Sequence, residues 1–302
     1  MSAASTEPSE RDPTAALIVE AAPAKINLCL HVLGRRPDGY HEIDSLVGFA
    51  ALGDSLVVEP STGATLEIDG PFARDCPTAG ANLVMRAAMM LAATGARPLM
   101  ASLRLDKQLP VAAGIGGGSA DAAAALRALQ HLWKIEIDEA LLTGMGLSLG
   151  ADVPVCLAGR PSRVRGIGER VETLAPLPRA SLLMVHPGIA LSTADVFAAR
   201  RGAFREAIPP LPNRFADARA LAAFLRTCRN DLTEAAIVCC PPIASALAAL
   251  DVAPGCLLTR MSGSGATCFG LFADDEAARR AERLIAGERR QWWVRASALR
   301  SD

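Results

Sequence analysis

The sequence predicts an α+β protein of two domains, and three observations lead to that class. Residues 22–32 and 99–110 alternate apolar with polar positions, which is the period of a half-buried strand. Alanine-rich stretches such as 120–133 are typical of packed helices. With 302 residues, 51% of them hydrophobic, the chain exceeds what one core usually supports. We therefore expect a first domain of residues 17–178 and a second of 179–302.

Composition indicates which cellular location and which partners to expect. Residues 1–16 are polar and contain prolines, without a basic stretch before an apolar one, so we expect disorder rather than a secretory signal. Lys and Arg number 31 against 32 Asp and Glu, so any anion-binding site must be local, and neither nucleic acid nor a membrane is an expected partner. The eight cysteines include no CxxC pair, which favours reduced, mostly buried thiols in a cytoplasmic protein.

Spacing and turn chemistry predict the elements of the first part. The strand of residues 22–32 ends at the turn sequence GRRPDG and places Lys25, Asn27, Cys29 and His31 on one face. Strands are expected at 55–60, 64–68 and 99–110, and a helix runs from Asn82 to a glycine. Helices follow at about 120–133 and 137–147, and Pro154 is expected to hold the preceding residue extended and so stop the second one.

The second part reads as strands and helices in an order that suits an antiparallel sheet with helices on one face. Strands are predicted at 181–188, 257–262, 267–273 and 292–297, and a helix at 275–287.

The sharpest local signal is PVAAGIGGGSA at residues 110–120, between a predicted strand and a predicted helix. Four glycines within five positions let the backbone approach a bulky anion, and the first N–H groups of the helix are suited to hold phosphates. Neither the P-loop nor the dinucleotide fingerprint is present. A flexible turn capped by Ser119 is the plainer interpretation. We favour the phosphate site, where a branched side chain at Gly117 is expected to block the approach of a phosphate to the backbone N–H groups.

Three further features are weak signals alone but fit a nucleotide and phosphate site together with that segment. SGSG at 262–265 joins two predicted strands, although a simple hairpin turn explains it equally well. Lys25 and Asn27, two positions apart, more often mark a solvated strand face, and Asp152 more often forms a cap or turn. Phosphoryl transfer to an alcohol, however, needs a carboxylate that accepts the hydroxyl proton and a cation that stabilises developing charge. Asp152 and Lys25 are suitable residue types for these roles.

Six segments together resemble a family of kinases: AKINLCLHVLGRRPDGYHEI, PVAAGIGGGSADAAAAL, LGADVPVCL, RGIGE, NDL and MSGSGATCFGLF. The glycine-rich segment is typical of the GHMP kinases in general, whereas GRRPDGYH is specific to their diphosphocytidyl-methylerythritol kinases. The resemblance spans residues 22 to about 273 and implies a ribosomal-S5-domain-2-like first domain and a ferredoxin-like second domain. ATP and substrate are expected in the cleft between them.

The implied reaction is ATP-dependent phosphorylation of the 2-hydroxyl of 4-diphosphocytidyl-2-C-methyl-D-erythritol, in the non-mevalonate route to isopentenyl diphosphate. Lys25 and Asp152 are the implied catalytic pair, with Asp152 as the base. Mg²⁺ is expected to bridge the ATP phosphates, and its protein ligand is left open, with Ser119 ahead of Asp121. The implied ATP site consists of Asn82, near the adenine, and Pro110, Val111, Ala112, Ala113, Gly114, Ile115, Gly116, Gly117, Gly118, Ser119 and Ala120.

Asn27, Tyr40 and His41 are implied at the cytidine diphosphate end, with Tyr40 and Phe197 on either face of the cytosine. Tyr40 is the only tyrosine of the chain, so a role in the core is the alternative. One departure stands out: Val155 and Cys156 replace the aromatic residues that often follow the DVP of the family. A monomer or a homodimer is expected.

Two other functions stay open at this point. Homoserine and mevalonate kinases share the glycine loops but lack GRRPDGYH. A nucleotide-binding module without catalysis would lack Lys25 or Asp152, and both are present.

Overall fold

A computed structural model describes residues 17–78 and 80–302, so the predicted disorder of residues 1–16 lies outside the described residues. Two sheets divide the chain. The first is built by β1 (Ile18–Arg35), β2 (His41–Pro60), β3 (Thr65–Asp69), β4 (Ala101–Asp106), β5 (Ser162–Gly166) and β6 (Arg170–Thr173), with helices α1 (Leu83–Thr94), α2 (Gly117–Trp133), α3 (Glu139–Leu149) and α4 (Val153–Ala158). The second is built by β7 (Ser181–His186), β8 (Cys256–Met261), β9 (Cys268–Phe272) and β10 (Trp293–Ala298), with α5 (Thr193–Ala199), α6 (Ala218–Arg226), α7 (Thr233–Cys239), α8 (Pro242–Asp251) and α9 (Asp275–Glu288).

Strand β2 organises the first sheet. It pairs with β1 along nearly its whole length, while its first half pairs with β5 and its second half with β4. Every pairing in this sheet is antiparallel except that of β3 with β4. Helices α1 and α2 pack on it through a core that includes Phe49, Leu91, Leu103 and Leu126. As expected, Asn82 caps α1 and a glycine ends it, but α2 begins three residues earlier than predicted.

The shared polar face predicted for β1 holds for Lys25 and Asn27 but is wrong for Cys29. The register of β1 against β2 shifts between Asn27 and Cys29, which interrupts the alternation of side chains. Cys29 is therefore buried in the same core as Leu28. His31 is also buried, and its ring bonds the backbone of Glu206 and Arg229 rather than lining a polar face.

The expected effect of Pro154 is also wrong. Helix α3 already ends at Leu149, and Val153 is not extended but begins the short helix α4. Pro154 stands in the first turn of α4, where its missing N–H costs no hydrogen bond. The proline thus starts a helix, and this start is what orients Asp152.

The second sheet is antiparallel, as predicted, with the order β10-β7-β9-β8. Helices α8 and α9 cover the face that carries Leu183 and Val185. The expectation of helices on one face is correct only in part, because α6 packs at the opposite face, with Leu182 and Met184. That opposite face also packs on β1 of the first sheet, so the two sheets share one core. The domain boundary near residue 178 stays a prediction.

Two sequence expectations concern the whole chain. All eight cysteines are free thiols, and five of them are buried. Within the described ranges, none of the helices has both the length and the apolar character that crossing a membrane requires.

Candidate active site

A cleft of about 1250 Å³ runs along the junction of the two sheets, and Lys25 lies in it facing Asp152. The Nζ atom of Lys25 is 3.0 Å from Oδ2 of Asp152. The Lys25 side chain is only 3% exposed, whereas that of Asp152 is 48% exposed. The structure therefore brings the two predicted catalytic residues together across 127 positions of sequence and excludes a solvated strand face for Lys25.

The local backbone leaves the carboxylate of Asp152 available. Asp152 occupies the position before α4, but its side chain makes no capping hydrogen bond. The alternative in which Asp152 serves as a cap is thus not what the structure shows. Its carboxylate instead faces Lys25 and the open part of the cleft.

Behind Lys25 lies a chain of buried hydrogen bonds that the sequence analysis did not predict. Lys25 Nζ donates to Asn27 Oδ1 at 2.7 Å, Asn27 Nδ2 donates to Ser45 Oγ at 2.7 Å, and Ser45 Oγ donates to the carbonyl of Cys29 at 2.6 Å. Ser45 has no accessible surface and does not line the cleft. Its signal in the sequence is weak, because a lone serine forms no pattern and no strand was predicted over residues 41–54.

The first glycine-rich segment wraps around the start of α2. Gly114 and Gly116 have φ of 75° and 64°, which favours glycine, and Gly116 occupies the position before the helix. Ser119 therefore lies inside the first turn and is not the cap. The first N–H groups of a helix have no partner within it and carry the positive end of its dipole. Because Gly116 and Ser119 line the cleft, the positive end of this helix dipole faces the cleft.

The expectation for Gly117 is wrong in its geometry. A Cβ atom at Gly117 points away from the cleft and comes within 3.1 Å of Lys107 Nζ, whereas one at Gly116 comes within 3.1 Å of the Lys25 side chain. Gly117 is helical, so positive φ is not at issue there. Within the described chain, Asn82 and the remaining predicted ATP-site residues do not line this cleft: Pro110, Val111, Ala113, Ile115, Gly117, Gly118 and Ala120. Asn82 caps α1 by accepting from the N–H of Val84.

The second glycine-rich turn is fastened to the first. Ser262 Oγ donates to the carbonyl of Gly114 at 3.0 Å and accepts from the N–H of Asn27 at 3.1 Å. The amide of Asn230, in the NDL segment, donates to the carbonyls of Met261 and Gly263, each at 2.8 Å. The NDL segment thus holds the second turn against β1, which is a role the sequence analysis did not assign.

The mouth of the cleft is aromatic, but its contacts differ from the expected arrangement. The ring that stacks on Phe197 is that of His41, with centroids 4.9 Å apart and an angle of 24° between the planes. Phe204 adds a tilted contact with His41 at 6.3 Å. Tyr40 is 61% exposed, so its alternative role in the core is wrong. A cytosine between Tyr40 and Phe197 requires His41 to leave its present position on Phe197.

Three arginines surround this aromatic group: Arg35, Arg200 and Arg201 all line the cleft. In the described part of the chain, none of the three forms a salt bridge with a carboxylate. Partial burial lowers the pKa of His41, and the charges of Arg35 and Arg200 lower it further. The mouth is thus a cationic surface on a chain whose net charge is −1.

A second buried lysine lies behind the glycine-rich segment. Lys107 Nζ is 2.5 Å from Asp54 Oδ2 and 2.6 Å from Asp121 Oδ2, and all three side chains are almost fully buried. Burial raises the pKa of Asp121 to about 7, an effect that Lys107 opposes and Asp54 reinforces. Asp121 is therefore occupied by Lys107 and does not face the cleft, which argues against it as a ligand of Mg²⁺.

Comparisons with known proteins identify a kinase family for this chain. The GHMP kinases N terminal domain model matches residues 82–160, and the GHMP kinases C terminal model matches residues 210–286. Among curated relatives, the 4-diphosphocytidyl-2-C-methyl-D-erythritol kinase of Cereibacter sphaeroides is 53% identical over 277 residues, which cover 90% of this chain and 96% of the relative. That of Paramagnetospirillum magneticum is 49% identical and covers 93% of this chain and 98% of the relative.

Solved structures indicate the same kinase family. A crystal structure of 4-(cytidine 5'-diphospho)-2C-methyl-D-erythritol kinase matches with a TM-score of 0.77 and 35% identity, over 94% of this chain and all of that one. A homoserine kinase from Cytophaga hutchinsonii, 18% identical, matches with a TM-score of 0.68 over 98% of each chain and shows a likeness of fold alone. These likenesses confirm the two-domain GHMP kinase fold predicted from the sequence. By its sequence, its fold and the residues of its cleft, this chain belongs to the 4-diphosphocytidyl-2-C-methyl-D-erythritol kinases of the GHMP kinase family.

Proposed function

We propose that this chain transfers the γ-phosphoryl group of ATP to the 2-hydroxyl of 4-diphosphocytidyl-2-C-methyl-D-erythritol, within the non-mevalonate route to isopentenyl diphosphate. Family membership supports the reaction. The observation that carries the proposal in the structure is the Lys25–Asp152 pair, 3.0 Å apart between a helix start and an open cleft. This pair supports the proposal, because phosphoryl transfer to an alcohol needs a proton acceptor and a cation side by side.

In this proposal Asp152 accepts the proton of the attacking hydroxyl. Its carboxylate is half-exposed to the cleft, so a substrate hydroxyl can reach it. Lys25 approaches from the buried side, and of its three N–H donors one faces Asp152 and one faces Asn27. The third is available to an oxygen of the transferred phosphoryl group, where its charge stabilises the transition state.

The start of α2 and the second glycine-rich turn would hold the ATP phosphates. Gly116 and Ser119 from the first and Gly263 and Ser264 from the second line the same stretch of cleft. The predicted contact of Asn82 with the adenine stays a prediction, because its buried side chain caps α1 and does not line the cleft. Leu83, the next residue, lies within 3.5 Å of a Cβ built on Gly118.

Mg²⁺ belongs to the proposal as a partner of ATP, because it neutralises phosphate charge during transfer. Such ions keep several waters and bind phosphates with few protein ligands, so a single hydroxyl is a fitting donor. Ser119 supplies that hydroxyl in the cleft. No cluster of three or more metal-binding side chains occurs among residues 17–78 and 80–302.

The cytidine diphosphate would occupy the mouth. Tyr40 offers an exposed face for a flat base, and Phe197 offers one once His41 moves off it. Arg35, Arg200 and Arg201 offer uncompensated charge for two phosphates. The glycine loops alone do not select among alcohols, since homoserine kinase shares the fold. A cytoplasmic location and a monomeric or homodimeric state stay predictions.

The test is incubation of the purified protein with Mg-ATP and a panel of alcohols: the cytidylated methylerythritol, free methylerythritol phosphate, homoserine and mevalonate. We expect ADP release only with the first, and a new phosphomonoester at the 2-position by phosphorus NMR. Preference for homoserine or mevalonate would reject the proposed substrate while leaving the family assignment intact.

A further inference from the structure

We propose that Ser45 is a positioning residue for the reaction: it fixes the side-chain amide of Asn27 and, through that amide, the ammonium group of Lys25. The inference rests on the proposed function, in which Lys25 stabilises the transferred phosphoryl group. It concerns a residue that has no accessible surface and does not line the cleft. Ser45 therefore cannot act on a substrate directly.

The donors and acceptors allow one orientation of the amide. A hydroxyl has one proton, and Ser45 Oγ is 2.6 Å from the carbonyl of Cys29, which can only accept. Ser45 must therefore donate there and accept from Asn27, so the group that faces Ser45 is Nδ2. At the other end the ammonium group can only donate, so the atom facing Lys25 must be Oδ1. Both ends require the same orientation independently.

The orientation of the Asn27 amide affects the reaction, because its oxygen Oδ1 accepts a hydrogen bond from Lys25. With one N–H directed to Asn27 and one to Asp152, the direction of the third N–H is determined. Removal of the Ser45 hydroxyl leaves Asn27 Nδ2 buried without its acceptor, and rotation of the amide takes Oδ1 away from Lys25. A cation displaced by a fraction of an ångström stabilises a transition state less well, even when substrates still bind.

The test is Ser45→Ala in the full chain, with steady-state kinetics at a temperature where the protein is folded. We expect kcat to fall about 10-fold, while KM for ATP changes less than about 2-fold, because the lost interaction matters in the transition state. Ser45→Thr keeps a hydroxyl on the same carbon and should restore most of kcat.

Ser162→Ala is the matched control. Ser162 is equally inaccessible, lies opposite Val47 on the neighbouring strand β5, and also donates to a backbone carbonyl, that of Arg160 at 2.9 Å. It has no contact with the chain from Asn27 to Lys25. Both alanine variants should lower the melting temperature by similar amounts, but only Ser45→Ala should lower kcat. Equal kcat in the two variants would overturn the proposal.

A second readout does not depend on the substrate. In a crystal structure of Ser45→Ala we expect the separation of Lys25 Nζ and Asn27 Oδ1 to exceed hydrogen-bond distance. A separation that stays at 2.7 Å would reject the positioning role, whichever alcohol the wild type phosphorylates. Conversely, a wild type that phosphorylates a different alcohol would reject the proposed substrate while the displaced lysine still supported the role of Ser45.

Discussion

The two ends of the cleft are built in opposite ways. At the inner end, Lys25 and Asn27 are buried, and hydrogen bonds tie them to Ser45 of β2 and to both glycine-rich segments, through Ile115 and Ser262. At the mouth, Tyr40 and Arg201 are exposed, and stacked rings replace buried hydrogen bonds. A preorganised inner end suits chemistry that needs fixed charges, whereas an open mouth suits recognition by groups that move onto a ligand. Changes at the two ends should therefore separate turnover from substrate preference.

The largest effect is expected at Asp152. Asp152→Asn removes the carboxylate that accepts the proton, so kcat should fall by about 10² or more while ATP binding and the fold are retained. Asp275→Asn is the matched control, because Asp275 is also half-exposed and ion-paired, with Arg279, but lies on α9. Turnover of Asp152→Asn within a few-fold of the control would remove Asp152 from the mechanism.

Lys25 and Lys107 allow a sharper version of that comparison, since both side chains are 3% exposed and face carboxylates. Lys25→Met should lower kcat about 10²-fold with little loss of stability, because its partner Asp152 stays solvated. Lys107→Met leaves the carboxylates of Asp54 and Asp121 buried without their cation. It should therefore lower the free energy of unfolding by about 3–5 kcal/mol.

Steady-state kinetics of both lysine variants measure the loss of kcat, and denaturant unfolding measures the loss of stability. If Lys25→Met chiefly destabilises the fold, the lysine is structural and the proposed chemistry loses its cation.

A smaller effect is expected at the mouth. Replacing Arg200 and Arg201 together by Ala should raise KM for the cytidylated substrate roughly 3- to 10-fold and weaken its dependence on salt, with KM for ATP unchanged. The pKa of His41 should rise toward 6.5, since Arg200 is one cause of its lowering, and NMR titration measures it. The control is the double replacement of Arg279 and Arg280, which are also adjacent in sequence but lie on the exposed side of α9. An equal change in both double variants would contradict a phosphate site at the mouth.

These predictions use residues that the sequence identified to different degrees. The family segments indicated Lys25 and Asp152, whose spacing alone favoured a solvated strand face and a cap or turn, whereas the first glycine-rich loop was indicated by its glycine run, which is a local signal. Ser45 and Asn230 were not found, since their partners lie in other strands and turns, and no local pattern encodes such contacts. Local signals also failed at Gly117, because the direction of its Cβ depends on where α2 begins.

Pro154 and His41 show the same limit. A proline is compatible both with the end of one helix and with the first turn of the next, and only the packing of α4 decides between them. The motif predicted an aromatic mouth, but the ring that lies on Phe197 depends on the path of the segment that connects β7 to α6. Periodicity and turn residues predicted β1, β3, β4 and the strand order of the second sheet, but not the first half of β2, nor β5, β6 and α4.

The most direct test of the division between the two ends is the ratio of kcat/KM for the cytidylated substrate to that for free methylerythritol phosphate, in wild type and in Tyr40→Ala. Wild type should strongly prefer the cytidylated substrate, because binding at the mouth positions the hydroxyl at the inner end. Tyr40→Ala should lower that ratio by the equivalent of roughly 1–3 kcal/mol, the scale of a base stacked on an aromatic ring, with KM for ATP unchanged. A ratio that Tyr40→Ala leaves unchanged, or a wild type that uses both substrates equally, would contradict the account.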